Sequence, residues 1–142
     1  NNLKFLCANV MSESHCNLLY TSFQTLPLIT RVSILFPDPW IKQKHKPRRV
    51  IQLPVLLFIA NILAPGGELV IVTDVEDIVL EARSKISECT QYFKEKQPTT
   101  EYPVDENGYF LYNPFMPYAS EREEVCELLW RHVYRLVYIK NV

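Results

Sequence analysis

The length, composition and charge of the chain are those of one globular domain. It has 142 residues, 48% of them hydrophobic, which is enough material for one buried core but not two. Its longest apolar run, Leu53 to Ala60, contains Pro54 and is far shorter than the roughly 20 residues of a membrane-spanning helix. We therefore expect no transmembrane helix. The formal net charge of −1 excludes a uniformly basic nucleic-acid-binding protein.

The ends of the chain and its cysteines add two expectations. The first residues carry neither an initiator Met nor a signal pattern and run directly into a strand-like segment, so residues 1–142 are expected to be a single domain cut from something longer. The four cysteines are far apart and form no Cys-x-x-Cys pair. Free thiols in a reducing compartment are therefore expected, rather than a zinc site or a disulfide framework.

The first half of the chain predicts strands alternating with helices. Leu3 to Ala8 has the composition of a short strand, and Ser12 to Phe23 is weakly helical in pattern. Arg31 to Phe36 forms a second, mostly apolar strand that ends at Pro37. Because apolar residues occur at both odd and even positions, we expect strands that are covered on both faces.

The middle of the chain continues this alternation. Pro54 is suited to the first turn of a helix, and Val55 to Leu63 continues as an apolar helix that ends at Ala64-Pro65-Gly66-Gly67. Glu68 to Thr73 predicts a third strand. Val75 to Tyr92 is helical by its spacing of apolar residues. This order of strands and helices indicates a parallel sheet with right-handed crossovers.

The last third of the chain predicts a loop and a terminal strand. Gln97 to Tyr118 is rich in Pro, Asn and Tyr and predicts an ordered loop. His132 to Ile139 alternates as a terminal strand does.

Unusual polar segments follow the three predicted strands. Asn9 follows the first strand, Phe36-Pro37-Asp38-Pro39-Trp40 the second, and Thr73-Asp74 the third. In open α/β sheets, ligands bind beyond the carboxyl ends of the strands. Proline on both sides of Asp38 restricts the backbone, so its carboxylate is held in place. A Pro-Asp-Pro taken by itself favours an ordinary turn in which Trp40 is a core aromatic.

A cationic segment, residues 42–49, follows directly. Its five Lys and Arg residues leave 10 basic and 16 acidic residues elsewhere, so a basic loop lies on an acidic body. Such a loop suits an RNA polyanion, although a charge run is usually only a solvated surface. Five phosphate contacts would make log affinity fall against log salt with a slope of roughly −3 to −4. His45 either contacts phosphate or caps the loop.

The string from Phe36 to Arg49 closely resembles the signature of the tRNA (guanine-N7)-methyltransferase family. The resemblance covers nearly the whole chain and extends to four further segments: Ala64 to Gly67, Thr73 to Val75, Ser120 to Glu123, and Val133 to Leu136. It implies an α/β, Rossmann-like class I methyltransferase fold that lacks its N-terminal strands, with a mostly parallel sheet and an antiparallel C-terminal strand. It also implies S-adenosylmethionine as cofactor and tRNA as substrate, with guanine N7 as the methylated atom.

The resemblance implies a role for each matching residue. Asp38 matches the catalytic aspartate. The cofactor-binding positions are Asn9, Val10, Leu35, Ser120 and Glu121. Lys42 and Asp74 match tRNA-contacting positions. Glu123, also expected to contact tRNA, takes the place of the late motif's glutamate, a role that Glu121 could share. The cationic segment adds five expected tRNA contacts: Lys44, His45, Lys46, Arg48 and Arg49. No metal ligand is implied.

The chain departs from the family pattern at its cofactor site. Methyltransferases of this fold place a Gly-rich loop after the first strand and an acid after the second, and neither is found among these residues, which include three glycines. A missing N-terminal segment, or a paralogue that lost cofactor binding, would explain this. Ser120 replaces Thr, and Ile41 stands where bacterial relatives more often carry His.

Two functions from different classes follow. The first is the methyltransferase, inactive or weak as this fragment, and the second is a non-catalytic RNA-binding or scaffold paralogue. A small-molecule methyltransferase is disfavoured by the basic segment. Thr73-Asp74-Val75 and Lys44-His45-Lys46 resemble the eukaryotic form of the family, which implies a WD-repeat partner subunit and a nuclear location. Otherwise an intracellular, cytoplasmic protein is expected.

Overall fold

The structure is a computed structural model that describes residues 9–23, 28–112 and 119–141. These residues form four α-helices, one 3₁₀ helix and four strands, in the order α1 (Glu13–Phe23), β1 (Ile29–Leu35), a 3₁₀ helix (Gln43–Arg48), α2 (Leu53–Ile62), β2 (Leu63–Thr73), α3 (Glu76–Ser87), β3 (Phe93–Glu95), α4 (Glu121–Leu128) and β4 (Tyr134–Lys140). Within the described ranges, no helix combines the length and the apolar composition that crossing a membrane requires.

The four strands form one mixed sheet in the order β1-β2-β4-β3. β1 and β2 are parallel, as expected for strands joined through a helix. β4 is antiparallel to both β2 and β3. The α/β class and the antiparallel C-terminal strand are therefore confirmed, but a mostly parallel sheet is not, because two of the three pairings among the described strands are antiparallel. The predicted strand Leu3 to Ala8 lies outside the described residues.

β2 is the central strand, and it is buried on both faces. Leu69 and Ile71 belong to the larger core cluster, beneath α2 and α3, while Val70 and Val72 belong to a second cluster with Phe110. The predicted coverage of both faces is thus confirmed for β2. β1 differs, because its alternate residues, including Arg31 and Ser33, are exposed in the described part of the chain.

Several predicted bounds are confirmed and others shift. Pro54 does lie in the first turn of α2, and α1 begins one residue after the predicted Ser12. β2 starts at Leu63, before the two glycines, because a bulge there uses the left-handed backbone of Gly66 (φ 76°). A Cβ on Gly67 would lie 2.8 Å from the carbonyl oxygen of Ala64.

The second half of the chain holds two elements that the sequence did not predict. α3 ends at Ser87, short of Tyr92, and the short strand β3 follows it. α4 was also not predicted, although Ser120 and Glu123 form a capping box at its start. Between Gln97 and Tyr112 the chain is a loop with one isolated bridge, while residues 113–118 lie outside the described part. Cys16, Cys89 and Cys126 are free thiols, as expected, and Cys7 lies outside the described residues.

Candidate active site

Three loops meet at one edge of the sheet. Leu35 of β1 is in register with Val72 of β2, and the Phe36 amide donates a 2.7 Å hydrogen bond to the Val72 carbonyl. Thr73 is in register with Tyr134, the first residue of β4. The loops after β1 and β2 begin at this edge of the sheet, and the loop between α4 and β4 ends there. This is the edge at which α/β proteins bind their ligands.

The loop after β1 presents Asp38 to solvent. Asp38 is exposed, while Pro37 and Pro39 on either side of it are half-buried. Phe36 (φ 46°) and Trp40 (φ 40°) have left-handed backbones that cost about 1 to 2 kcal/mol each for residues other than glycine. The loop is thus a strained turn with a rigid centre, and its carboxylate points to solvent rather than into the core.

Trp40 joins this turn to the cationic segment. Its ring lies 5.7 Å from the His45 ring in an edge-on arrangement, and the Arg48 guanidinium lies 5.3 Å from its centroid. Trp40 is half-buried, so the alternative in which it is a buried core aromatic does not hold. Cation–π contact and edge packing hold the 3₁₀ helix against the Asp38 turn.

The cationic segment divides into outward-facing and paired side chains. Lys42, Lys44 and Arg48 are exposed. Lys46 is half-buried and pairs with Asp77 of α3 at 3.0 Å. Because this ion pair is exposed to solvent, it leaves Lys46 able to exchange partners. The exposed side chains of Lys42, Lys44 and Arg48, together with half-buried His45, can therefore face a polyanion.

Arg49 does not face solvent, contrary to the expectation that it contacts tRNA. Only 3% of it is exposed, and its guanidinium pairs with Asp77 at 2.7 Å and Glu81 at 2.5 Å. Burial disfavours the charged form, but hydrogen bonds to the two carboxylates outweigh it and raise the pKa of Arg49. The Arg49 side chain is thus charged, paired and covered.

The loop after β2 also differs from expectation. Asp74, expected to contact tRNA, has a side chain that is 8% exposed and pairs with Arg122 at 2.5 Å and with Arg131 at 3.6 Å. Its carboxylate is therefore committed to two arginines that are about half exposed themselves. Burial, with Asp74 nearby, raises the pKa of the Cys126 thiol beneath this group. Arg122 of α4 and Arg131 after α4 are therefore the exposed charges at this part of the edge, while the Asp74 carboxylate is covered.

Ser120 and Glu123 form the N-terminus of α4. The Glu123 carboxylate accepts from the Ser120 backbone amide at 3.0 Å, and the Ser120 hydroxyl accepts from the Glu123 amide at 3.3 Å. Glu123 is buried and also pairs with Arg135 at 3.1 Å, whereas Glu121 is exposed. Glu123 therefore has structural partners within the protein, and its direct contact with tRNA stays a prediction. The spacing Ser-x-x-Glu was the signal for the helix that sequence reasoning missed.

The expected cofactor residues lie in two places. Val10 lines an apolar hollow of about 480 Å³ between α1, β1 and α2, together with Ile34 and Phe58. Asn9 begins the turn before α1, where its side chain accepts from the Met11 amide at 2.9 Å. Leu35 lies at the end of β1 with 39% of its surface exposed. Ser120 and Glu121 lie at the start of α4 and do not line this hollow.

Comparison with known proteins decides the family. A family model described as "Putative methyltransferase" matches residues 1–126, most of the chain. The chain belongs to this methyltransferase family. Its relatives include proteins named tRNA (guanine-N(7)-)-methyltransferase from bacteria. The Synechocystis sp. protein is 36% identical over 135 residues, which are 94% of this chain and 57% of that protein.

Other members of the methyltransferase family are about as similar. The Prochlorococcus marinus (strain NATL2A) protein is 33% identical over 99% of this chain and 60% of its own length. The Trichormus variabilis protein is 31% identical over 97% of this chain and 58% of its own length. These matches confirm the resemblance seen in the sequence. The chain thus spans somewhat more than half the length of the relatives it matches, and these bacterial relatives give no support to the eukaryotic form.

The methyltransferase family takes its methyl group from S-adenosylmethionine, and the described residues fit only part of that molecule. The apolar hollow beside Val10 offers a surface for the adenine ring. Gly66 lies in the β2 bulge and Gly108 in a turn after Asp105, so neither belongs to a loop at the site edge. The described residues therefore supply an apolar wall, but no glycine-rich cradle.

Proposed function

We propose that this protein transfers a methyl group from S-adenosylmethionine to N7 of a guanine in tRNA. The observation that carries the proposal is the exposed Asp38 in its proline-flanked turn, joined through Trp40 to a cationic 3₁₀ helix. Relatives that carry the name tRNA (guanine-N(7)-)-methyltransferase support the choice of reaction.

The chemistry requires positioning more than proton transfer. Guanine N7 has an exposed lone pair at neutral pH, so no base is needed to remove a proton before it takes the methyl group. The product carries a positive charge. Asp38 can accept hydrogen bonds from the guanine N–H groups and stabilise that charge. A rigid turn favours this role, because a well-oriented reactant makes a bimolecular step effectively unimolecular.

The surface proposed to bind RNA uses fewer cations than the segment 42–49 contains. Lys42, Lys44 and Arg48 are exposed beside Asp38, and His45 and Lys46 lie at their rim. Arg122 and Arg131, held by Asp74, extend the same edge with further positive charge. Phosphate contacts of this kind position a nucleic acid without reading its sequence. The proposed role of Asp74 is therefore to present these arginines.

The remaining expected residues keep proposed roles at the cofactor. Asn9, Val10 and Leu35 are proposed to contact the adenosine part, because Val10 borders an apolar hollow and all three lie near the ends of their elements. Ser120 and Glu121, at the start of α4, are proposed to face the methionine end.

The test is a methyl-transfer assay of the full-length protein with tRNA. Asp38→Ala should slow the reaction by about 100-fold or more at saturating tRNA, since orientation of the base is lost. Asp38→Asn should be slowed less, because an amide oxygen still accepts a hydrogen bond. Glu88→Gln, at the far end of α3, is the matched control and should match the wild type. An Asp38→Ala variant with full activity would remove Asp38 from the site.

A non-catalytic RNA-binding paralogue is the second candidate. It is favoured by the contrast between an intact cationic surface and the incomplete fit of the described residues to the cofactor. Tight tRNA binding by the full-length protein, without methyl transfer, would support it over the enzyme.

The proposed substrate carries two further expectations. A protein that acts on tRNA works inside the cell, and the bacterial relatives favour the cytoplasm over the nucleus. The WD-repeat subunit stays a prediction from the eukaryotic features of the sequence. Co-purification of the native protein would test it.

A further inference from the structure

We propose that Arg49 is a positioning residue, which fixes the turn that carries Asp38 to helix α3. The inference rests on the proposed function, in which Asp38 orients the target base. Arg49 is the last residue of the cationic segment. Its proposed role is to hold the protein's own turn in place, whereas its neighbours are proposed to contact RNA.

The contacts of Arg49 run in three directions. Its Nε donates to the Pro39 carbonyl at 2.8 Å, one residue after Asp38. One terminal nitrogen donates to Glu81 at 2.5 Å and the other to Asp77 at 2.7 Å, both on α3. The planar guanidinium presents several donors in a fixed fork, so it can bridge the turn and the helix at once. A lysine ammonium cannot reproduce that geometry.

Arg49 and the residue before it differ in their exposure to solvent. Arg49 is 3% exposed, whereas Arg48 is exposed and lies over Trp40. A phosphate would have to displace two carboxylates that already balance the Arg49 charge. Leaving the buried Arg49 guanidinium without its carboxylates is strongly unfavourable, so we expect these ion pairs to persist when RNA binds.

The turn itself needs such a support. Phe36 and Trp40 have left-handed backbones at its two ends, and the Pro39 carbonyl lies between Asp38 and Trp40. Strained conformations persist only where the surrounding structure holds them. Arg49 supplies a charged hydrogen bond at this point, from a side chain anchored to a helix of the core. Without this hydrogen bond, we expect the turn to relax and the Asp38 carboxylate to lose its fixed orientation.

The experiment compares rate, binding and local protection in the full-length protein. Arg49→Lys and the double variant Asp77→Asn/Glu81→Gln remove the clamp from opposite sides. Each should lower the single-turnover methyl-transfer rate at saturating tRNA by about 10- to 100-fold, as misplacement of a reacting group does. In Arg49→Lys the Kd for tRNA should stay within about twofold, since the charge is kept and no phosphate contact is lost. Glu88→Gln is the matched control on the same helix.

Two measurements identify a direct RNA contact. If Arg49 touches phosphate, Arg49→Lys and Arg49→Gln would differ in tRNA affinity, and Gln would lower the salt slope by about 0.7 to 0.9. The double variant would then keep an undiminished rate; its tRNA affinity does not discriminate, because the loss of Asp77 also releases Lys46. Either result overturns the proposal. Where the double variant does not fold, Asp77→Asn and Glu81→Gln are tested singly, each removing one bond of the clamp.

Hydrogen–deuterium exchange of the peptide Phe36–Lys42 makes the test independent of activity. Exchange should be faster in Arg49→Lys than in the wild type, with exchange in β4 unchanged. Unchanged exchange in Phe36–Lys42 would overturn the clamp whether or not the protein methylates tRNA. An inactive wild type with a clamp-dependent turn would instead count against the proposed function alone.

Discussion

At the scale of single residues, neighbours of the same chemistry have opposite roles at this site. Arg48 is exposed over Trp40, while Arg49 is buried between two acids. Likewise Glu121 is exposed at the start of α4, while Glu123 is buried against Arg135. On a helix or a 3₁₀ turn, adjacent residues point in different directions, so a charge run cannot be one functional unit.

Glu123 carries a prediction at this scale. Glu123→Ala removes half of a capping box and the partner of Arg135, which is 16% exposed. The free energy of unfolding should fall by about 3 kcal/mol, because a cap is lost and a nearly buried cation is left unpaired. Urea denaturation measures this change. Glu124→Gln, exposed on the same turn, should shift stability by less than about 0.5 kcal/mol, and an equal effect of both variants would contradict the assignment.

At the scale of elements, ion pairs attach the site loops to the helices behind them. Arg49 joins the β1 loop to α3, and Asp74 joins the β2 loop to Arg122 of α4. The apolar faces of these elements set where they pack, but they do not set the conformation of a loop. Directional, charge-assisted hydrogen bonds do this instead.

The attachment of α3 should weaken in acid. Hydrogen bonds from Arg49, and then from Lys46, lower the pKa of Asp77. A carboxylate with a lowered folded pKa stabilises the protein above its unfolded pKa of about 3.9. That stabilisation is lost as the pH falls through the lower, folded value. The urea midpoints of wild type and Asp77→Asn should therefore differ at pH 6 and converge towards pH 3, whereas Glu88→Gln should track the wild type throughout.

At the scale of the whole molecule, a small cationic edge lies on an acidic body. The net charge is −1, yet the exposed cations Lys42, Lys44 and Arg48 lie together beside Asp38. Such a distribution steers a polyanion to one edge and repels it elsewhere. The structure reduces the expected set of five phosphate contacts, because Arg49 is buried and Lys46 is paired.

Salt dependence of tRNA binding tests this distribution. Lys42→Ala and Lys44→Ala should each lower the slope of log affinity against log salt by about 0.7 to 0.9, the effect of one lost phosphate contact. Lys94→Ala is the control, because this exposed lysine lies on β3, which is separated from β1 by two strands. Equal effects of all three variants on the slope would indicate non-specific attraction instead of a defined edge.

The sequence by itself determined the local features of this protein and its family. Pro37 and Pro39 restrict the backbone around Asp38 through their own rings, and the apolar run of β2 predicted burial on both faces. Helix α2 with its N-terminal proline and the segment from Phe36 to Arg49 were also recognisable, because their signals depend on adjacent residues.

Only the tertiary structure decided which charged groups are free and how the last strands pair. Arg49 meets Asp77 28 residues away and Glu81 32 residues away, and Arg122 meets Asp74 across 48 residues. Similarly, β4 enters the sheet beside β2 and not at the end of a parallel series. These contacts depend on which elements the core brings together, and no short-range pattern of residues specifies that.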